Sequence, residues 1–131
     1  MRDFDILYQL IKSYAFINQI CDKVKYAIEV FEILRDLAYE IQDHRLIMES
    51  YKCLGAVLQK DKRYEDAVVC FKKILLYAWY FNDTKWEMIA YENLSTQYFY
   101  LGEIQDSRHY NERANRGITE ANTSQNKIIA K

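Results

Sequence analysis

The chain has 131 residues, half of them hydrophobic, with 18 Lys and Arg set against 19 Asp and Glu. That is one domain's worth of chain with enough apolar residues for a buried core, which excludes a disordered segment. The near-cancelling charges supply no long-range field for nucleic acid or an anionic membrane, so a general binder of either is disfavoured.

In chain order, the first twenty residues lack the basic start, pure apolar stretch and small-residue cleavage site of a secretory leader, and none is expected. Apolar residues recur at three- and four-residue steps, as in Tyr51, Leu54, Leu58 and again in Ala67, Phe71, Ile74, Ala78. That is the helical period and not the alternation of a strand. With no proline and three glycines, the chain has few places to bend except at helix ends. Asp22, Asp43, Asp61, Asp83 and Gly102 stand at the interruptions, where carboxylates cap N–H groups and glycine takes the left-handed turn. Thr84-Lys85-Trp86-Glu87 reads as a capping box. Six helices are predicted, near 3–20, 22–42, 44–60, 62–82, 84–101 and 103–119. A polar tail follows over 120–131, either a frayed extension of the last helix or a flexible linker. The longest apolar run, 74–81, is eight residues and far short of the roughly 20 a helix needs to cross a bilayer.

Sliding the sequence against itself by 40 positions pairs Ala27 with Ala67, Phe31 with Phe71, Ala38 with Ala78, Tyr51 with Tyr91 and Leu54 with Leu94. It also pairs Lys12 with Lys52 and Gln19 with Gln59, so three helical hairpins repeat, over about 3–42, 44–82 and 84–119. Tyr51-x-x-Leu54-Gly55-x-x-Leu58, Ala67-x-x-x-Phe71 and Tyr91-x-x-Leu94-Ser95-x-x-Tyr98 resemble the tetratricopeptide repeat (TPR) pattern across nearly the whole chain. The resemblance implies an all-α, right-handed α-α superhelix of three stacked antiparallel hairpins over 1–119. In it, small residues on each first helix, Ala15, Gly55 and Ser95, face Ala27, Ala67 and Ser107 on each second. Tyr14, Leu54, Leu94, Phe31 and Phe71 are expected to fill the core around those crossings. The family's usual period is about 34 residues and its loop carries a proline absent here, so HEAT and armadillo repeats, at roughly 40 to 47, are the structural alternative. The third hairpin, with Ser107 and Asn111 at the alanine and phenylalanine places, is degenerate; it either caps the stack or was cut from a longer array.

Three cysteines, Cys21, Cys53 and Cys70, show no Cys-x-x-Cys spacing and are expected as free thiols of a reducing, cytoplasmic setting, with Cys70 a core residue. Asp106-Ser107-Arg108-His109 holds the residue types of a hydrolytic triad. Neighbouring positions on a helix point in different directions, however, so no ordered nucleophile–base contact forms and no enzyme is expected. His44 and His109 lack a second ligand at zinc-pair spacing, and no glycine-rich phosphate loop is present, so neither metal nor cofactor is expected. Many of the aromatic residues are expected at repeat core places, and no basic stripe accompanies them.

The resemblance implies a protein-binding scaffold or adaptor, with a nucleic-acid-binding helical repeat as the alternative. A groove lined by the first helices would present Gln9, Lys12, Phe16 and Gln19, then Glu49, Lys52, Ala56 and Gln59, then Ile89, Glu92, Thr96 and Phe99 to a peptide segment or helix. The family's chaperone-binding members hold a terminal carboxylate with Lys, Asn and Arg on this face. Phe16 and Ile89 stand where that clamp needs polar groups, which disfavours a chaperone-cofactor role. On the second helices, Glu29, Asp36 and Glu40 of hairpin one become Val69, Leu76 and Tyr80 in hairpin two. That convex apolar stripe invites a cover: another protein, another copy, the third hairpin, or the chain's own tail with Ile118, Ile128 and Ile129.

Overall fold

In a computed structural model, the backbone is described for residues 2–20 and 23–129 and the side chains for 5–17 and 23–120. Six helices follow one another: α1 (Arg2–Ile20), α2 (Val24–Glu40), α3 (His44–Lys60), α4 (Tyr64–Tyr80), α5 (Thr84–Tyr100) and α6 (Ile104–Ile129). No strand occurs among the described residues. Helix α6 continues into the polar stretch at the end of the sequence. Among the described residues no helix is long and apolar enough to cross a membrane. The chain forms two compact units, Met1–Cys70 and Phe71–Lys131, and the boundary between them falls within the continuous helix α4.

The four linkers from α2 onward share one construction. Gln42, Lys62, Asn82 and Gly102 take φ of 55°, 61°, 52° and 80°, the left-handed conformation that ends a helix. Around each, two backbone bonds close a Schellman turn. After α2, the Gln42 N–H donates to the Tyr39 carbonyl and the Asp43 N–H to Ala38; after α5, Gly102 donates to Phe99 and Glu103 to Tyr98. Only one of the four positions is glycine, and asparagine at 82 is the other residue type that enters this region readily. Repeated hydrogen bonding thus bends the chain where no proline does.

Capping differs in detail from the sequence expectation. Asp43 does cap α3, its carboxylate accepting from the N–H groups of Arg45 (3.0 Å) and Leu46 (3.3 Å). For α5 the cap is Asp83, accepting from Trp86 N–H at 3.2 Å, so Thr84 is the first helical residue and the capping box lies one position off. Asp61 is the C-cap of α3 and does not begin a helix. Asp22 lies outside the described residues.

In the first unit, α1 packs on α2 and α2 on α3. Ala15 and Ala27 are fully buried, as are Phe31, Leu34 and Ala38, which stand at three- and four-residue steps along α2. Gly55 and Ala67 are buried too. In the second unit α5 packs on α6, and the expected small-residue crossing is visible in hydrogen bonds. Ser95 Oγ donates to the Ser107 carbonyl and Ser107 Oγ to the Ser95 carbonyl, both at 2.8 Å. Only side chains this short let two backbones approach so closely. Leu54, Leu94, Phe31 and Phe71 are core residues as expected. Tyr14 is not: it is 59% exposed, on a side of α1 against which no described residue is packed closely enough to bury it.

Candidate functional site

Helices α1 and α3 meet side by side in the first unit. Tyr8, fully buried on α1, shares a 2.7 Å hydrogen bond between its hydroxyl and Ser50 Oγ and donates to the Leu46 carbonyl at 3.3 Å. Burial pushes its phenol well above the usual range, against the opposing pull of the Ser50 bond. One step outward along the same contact, Lys12 forms an ion pair with Glu49, and its ammonium lies 6.0 Å from the Phe16 ring centroid. Phe16 in turn meets the buried Phe31 edge-on, with centroids 5.6 Å apart.

The structure thus brings Lys12, Phe16 and Glu49 of the expected groove set into one connected cluster, and Lys12 is a neutralised cation there. Gln9, Lys52 and Ala56 are exposed and Gln59 is half-buried; the Gln19 side chain lies outside the described residues. In the second unit, Glu92 and Phe99 on α5 are exposed, while Ile89 and Thr96 are half-buried. Phe99 is 62% exposed, and Thr96 Oγ1 is occupied by the Glu92 carbonyl at 3.0 Å. On α4, Val69, Leu76 and Tyr80 are 58%, 56% and 81% exposed, so nothing described in the chain covers the expected stripe. Ile118 is itself partly exposed, and the side chains of Ile128 and Ile129 lie outside the described residues.

Sequence reasoning missed the polar joints between successive hairpins. The Tyr39 and Tyr51 hydroxyls share a 2.8 Å hydrogen bond in the first unit, and in the second Trp79 Nε1 donates to the Tyr91 hydroxyl at 3.3 Å. Tyr39 and Trp79, like Tyr51 and Tyr91, are 40 positions apart, so the signal was present in the offset but hidden by the change from tyrosine to tryptophan. The Tyr91 hydroxyl also donates to Glu87 Oε1 at 2.9 Å. Beyond it runs a ladder of rings between α5 and α6: Tyr110 stacks on Tyr98 at 5.6 Å and on Tyr91 at 6.1 Å. Lys72 lies 5.9 Å over Tyr98 and Arg113 5.9 Å over Tyr91, one cation at each end. The Tyr98 hydroxyl beside it raises the Lys72 pKa. These rings pack against one another.

A cleft of about 740 Å³ opens beside this ladder, lined among others by Lys85, Met88, Arg113, Arg116 and Gly117. Its charges are mixed, since Glu87 and Glu120 also line it. Met88 lies so close to Gly117 that a methyl group there would displace the methionine's flexible end. Ser107 is engaged with Ser95, and His109 Nε2 accepts from Arg113 Nε at 3.2 Å, so the two triad-like side chains are held by different neighbours. Cys53 and Cys70 are buried and free, and desolvation pushes their thiols up to about 11 and about 12, which is the behaviour of packing residues and not of nucleophiles. Cys21 lies outside the described residues.

No family model matches this sequence, and no curated protein does. Seventeen chains of solved structures share its fold. Among them, the crystal structure of the TPR domain of Arabidopsis FLU matches with a TM-score of 0.78, covering 86% of this chain and 95% of that one at 17% identity. The fold is that of a tetratricopeptide-repeat domain. The likeness sets the tetratricopeptide reading above HEAT and armadillo.

Proposed function

We propose that the chain is a protein-interaction scaffold whose repeat unit is a 40-residue helical hairpin, and that it grips a partner segment on the faces of its first helices. One observation carries this reading: the Lys12–Glu49 pair and the Phe16 ring lie together on adjoining first helices, flanked by exposed Gln9, Lys52 and Ala56. A ready-made ion pair, an aromatic edge and exposed polar groups suit an extended peptide or a helix, which needs backbone partners, apolar contact and one or two charges at once. The equivalent row on α5, with Ile89, Glu92, Thr96 and Phe99, serves the same partner or a neighbouring one. The outer face of α4, with Val69, Leu76 and Tyr80, is a second surface for a different protein in a larger assembly. The odd cysteine count and the two buried, unreactive thiols fit a reducing, cytoplasmic setting.

Affinity capture with mass spectrometry tests this directly, comparing the unaltered chain with a Lys52→Glu, Ala56→Arg variant. Both positions are exposed, so the melting temperature should be unchanged while the principal partner is lost or reduced at least about tenfold. An identical partner set in both samples would exclude the first-helix face as the binding surface.

A further inference from the structure

The second helix of the third hairpin has lost two large side chains that its counterparts carry. At the 40-position offset, Leu34 on α2 and Ile74 on α4 become Ala114 on α6, and Leu37 and Tyr77 become Gly117. Leu34, Ile74 and Ala114 are all fully buried and Leu37, Tyr77 and Gly117 are all half-buried, so the places correspond while the side chains shrink. Beside Gly117 lies the cleft of about 740 Å³, and every described residue lining it belongs to α5 or α6. A leucine or tyrosine at 117 would stand in it. The cleft is thus internal to one hairpin and follows from what α6 carries. Its volume lies in the range of small-molecule sites, roughly 300 to 1,000 Å³.

Met88 and Tyr91 give the cleft an apolar floor. The thioether end of Met88 lies over Gly117, where no Cβ excludes it, and an unbranched methionine adapts to the shape it meets. Lys85 on α5 and Arg116 on α6 are exposed at the cleft, and among the described residues neither is held by a hydrogen bond or an ion pair. Arg113 is engaged, its Nη1 donating to the Tyr91 hydroxyl at 3.5 Å and its Nε to His109 at 3.2 Å. Of the two carboxylates, Glu87 accepts from the Tyr91 hydroxyl at 2.9 Å and from Trp79 Nε1 at 3.3 Å, which fixes it in the wall. Glu120 is exposed, one turn beyond Arg116. Three cations against two carboxylates leave the cleft with an excess of positive charge, and the two cations without a partner stand one on each helix.

The geometry points to this cleft as a binding site for a small organic acid, an apolar body bearing a carboxylate or phosphate head. The body lies on Met88 and Tyr91 and displaces water from them; the head sits between Lys85 and Arg116, whose charge-assisted hydrogen bonds hold it. An inorganic anion lacks the body, and a neutral or cationic ligand leaves both cations unmatched. The site shares no residue with the first-helix row or the α4 stripe, and it does not depend on the partner-binding surface proposed above.

The test is titration of the isotope-labelled full chain, followed by NMR, with phenylbutyrate, its neutral amide, phenylbutylamine and inorganic phosphate. Phenylbutyrate should saturate with a dissociation constant of about 1 mM or below and shift the amide signals of Met88, Arg116 and Gly117. The other three probes should bind at least about tenfold more weakly. Lys85→Gln with Arg116→Gln should weaken phenylbutyrate at least about tenfold, and Glu120→Gln should tighten it. All three positions are exposed, so these chains keep their melting temperature and decide the matter even where a cleft-filling variant fails to fold. Gly117→Leu, which restores the residue type of Leu37, should abolish binding. No saturation by phenylbutyrate below about 10 mM would overturn the proposal. So would equal binding of the amide, the amine or phosphate, undiminished binding by the double glutamine chain, or undiminished binding by a folded Gly117→Leu chain.

Discussion

Helices α1 and α3 align at a 40-position offset in the sequence, Lys12 with Lys52 and Ala15 with Gly55, yet their sides have opposite fates. Leu54 is 4% exposed and its counterpart Tyr14 is 59% exposed; Cys53 is buried and its counterpart Ser13 is exposed. Nothing in helical periodicity distinguishes them, since both helices carry apolar residues on that side. What differs is the burial each place receives: α3 has α1 and α2 against it, and the corresponding side of α1 stays largely exposed among the described residues. Burial in a helical repeat is thus a property of place in the stack before it is a property of the residue.

The largest expected effect separates these two helices by stability. Leu54→Ala should destabilise the chain by about 2 to 5 kcal/mol, because it removes a buried side chain and leaves a cavity. Tyr14→Ala, measured by denaturant unfolding at low protein concentration, should stay within about 0.5 kcal/mol. Similar losses at both sites would mean that α1 is covered on both sides and that the comparison is wrong.

A smaller effect uses Cys53 and Ser13. Desolvation holds the Cys53 thiol at about 11 against an ordinary value of 9.0. The folded chain then keeps this proton between pH 9 and 11 while the unfolded chain has released it. Stability from this group is complete below pH 9 and falls as pH rises toward 11, by about 3 kcal/mol in all. A Cys53→Ala chain should lose correspondingly less stability over that interval. A cysteine placed in α1 by Ser13→Cys should react with a thiol reagent at native pH, where Cys53 resists. Equal reactivity of the two thiols would contradict the assignment of these sides.

Most of the architecture was legible in the sequence because it is local and repeated. The period of Ala27, Phe31, Ala38 and of Ala67, Phe71, Ala78 gave the second helices their buried faces, and the small residues at 95 and 107 marked a crossing that the structure closes with two hydrogen bonds. The exposure of Tyr14 was not legible, since it depends on what lies beside α1 and not on α1 itself. The Lys12–Glu49 pair joins residues 37 positions apart on different helices, beyond the reach of helical spacing. Asp83 displaced Thr84 as the cap because a carboxylate one residue earlier competes for the same N–H groups, and both spell plausible helix starts. The residues proposed to face a partner follow from the repeat as positions only: their number along each helix can be read from the sequence, and their pairing cannot.

Helix α1 itself holds the sharpest internal control, since Tyr8 and Tyr14 lie on the same helix at 1% and 59% exposure. Covalent labelling of tyrosine, read by mass spectrometry on the native chain, therefore tests most directly that α1 is a repeat helix with one side built into the stack and another open. Tyr14 should be modified readily and Tyr8 protected. Modification of Tyr8 at a rate like that of Tyr14, or a protected Tyr14, would contradict the placement of α1.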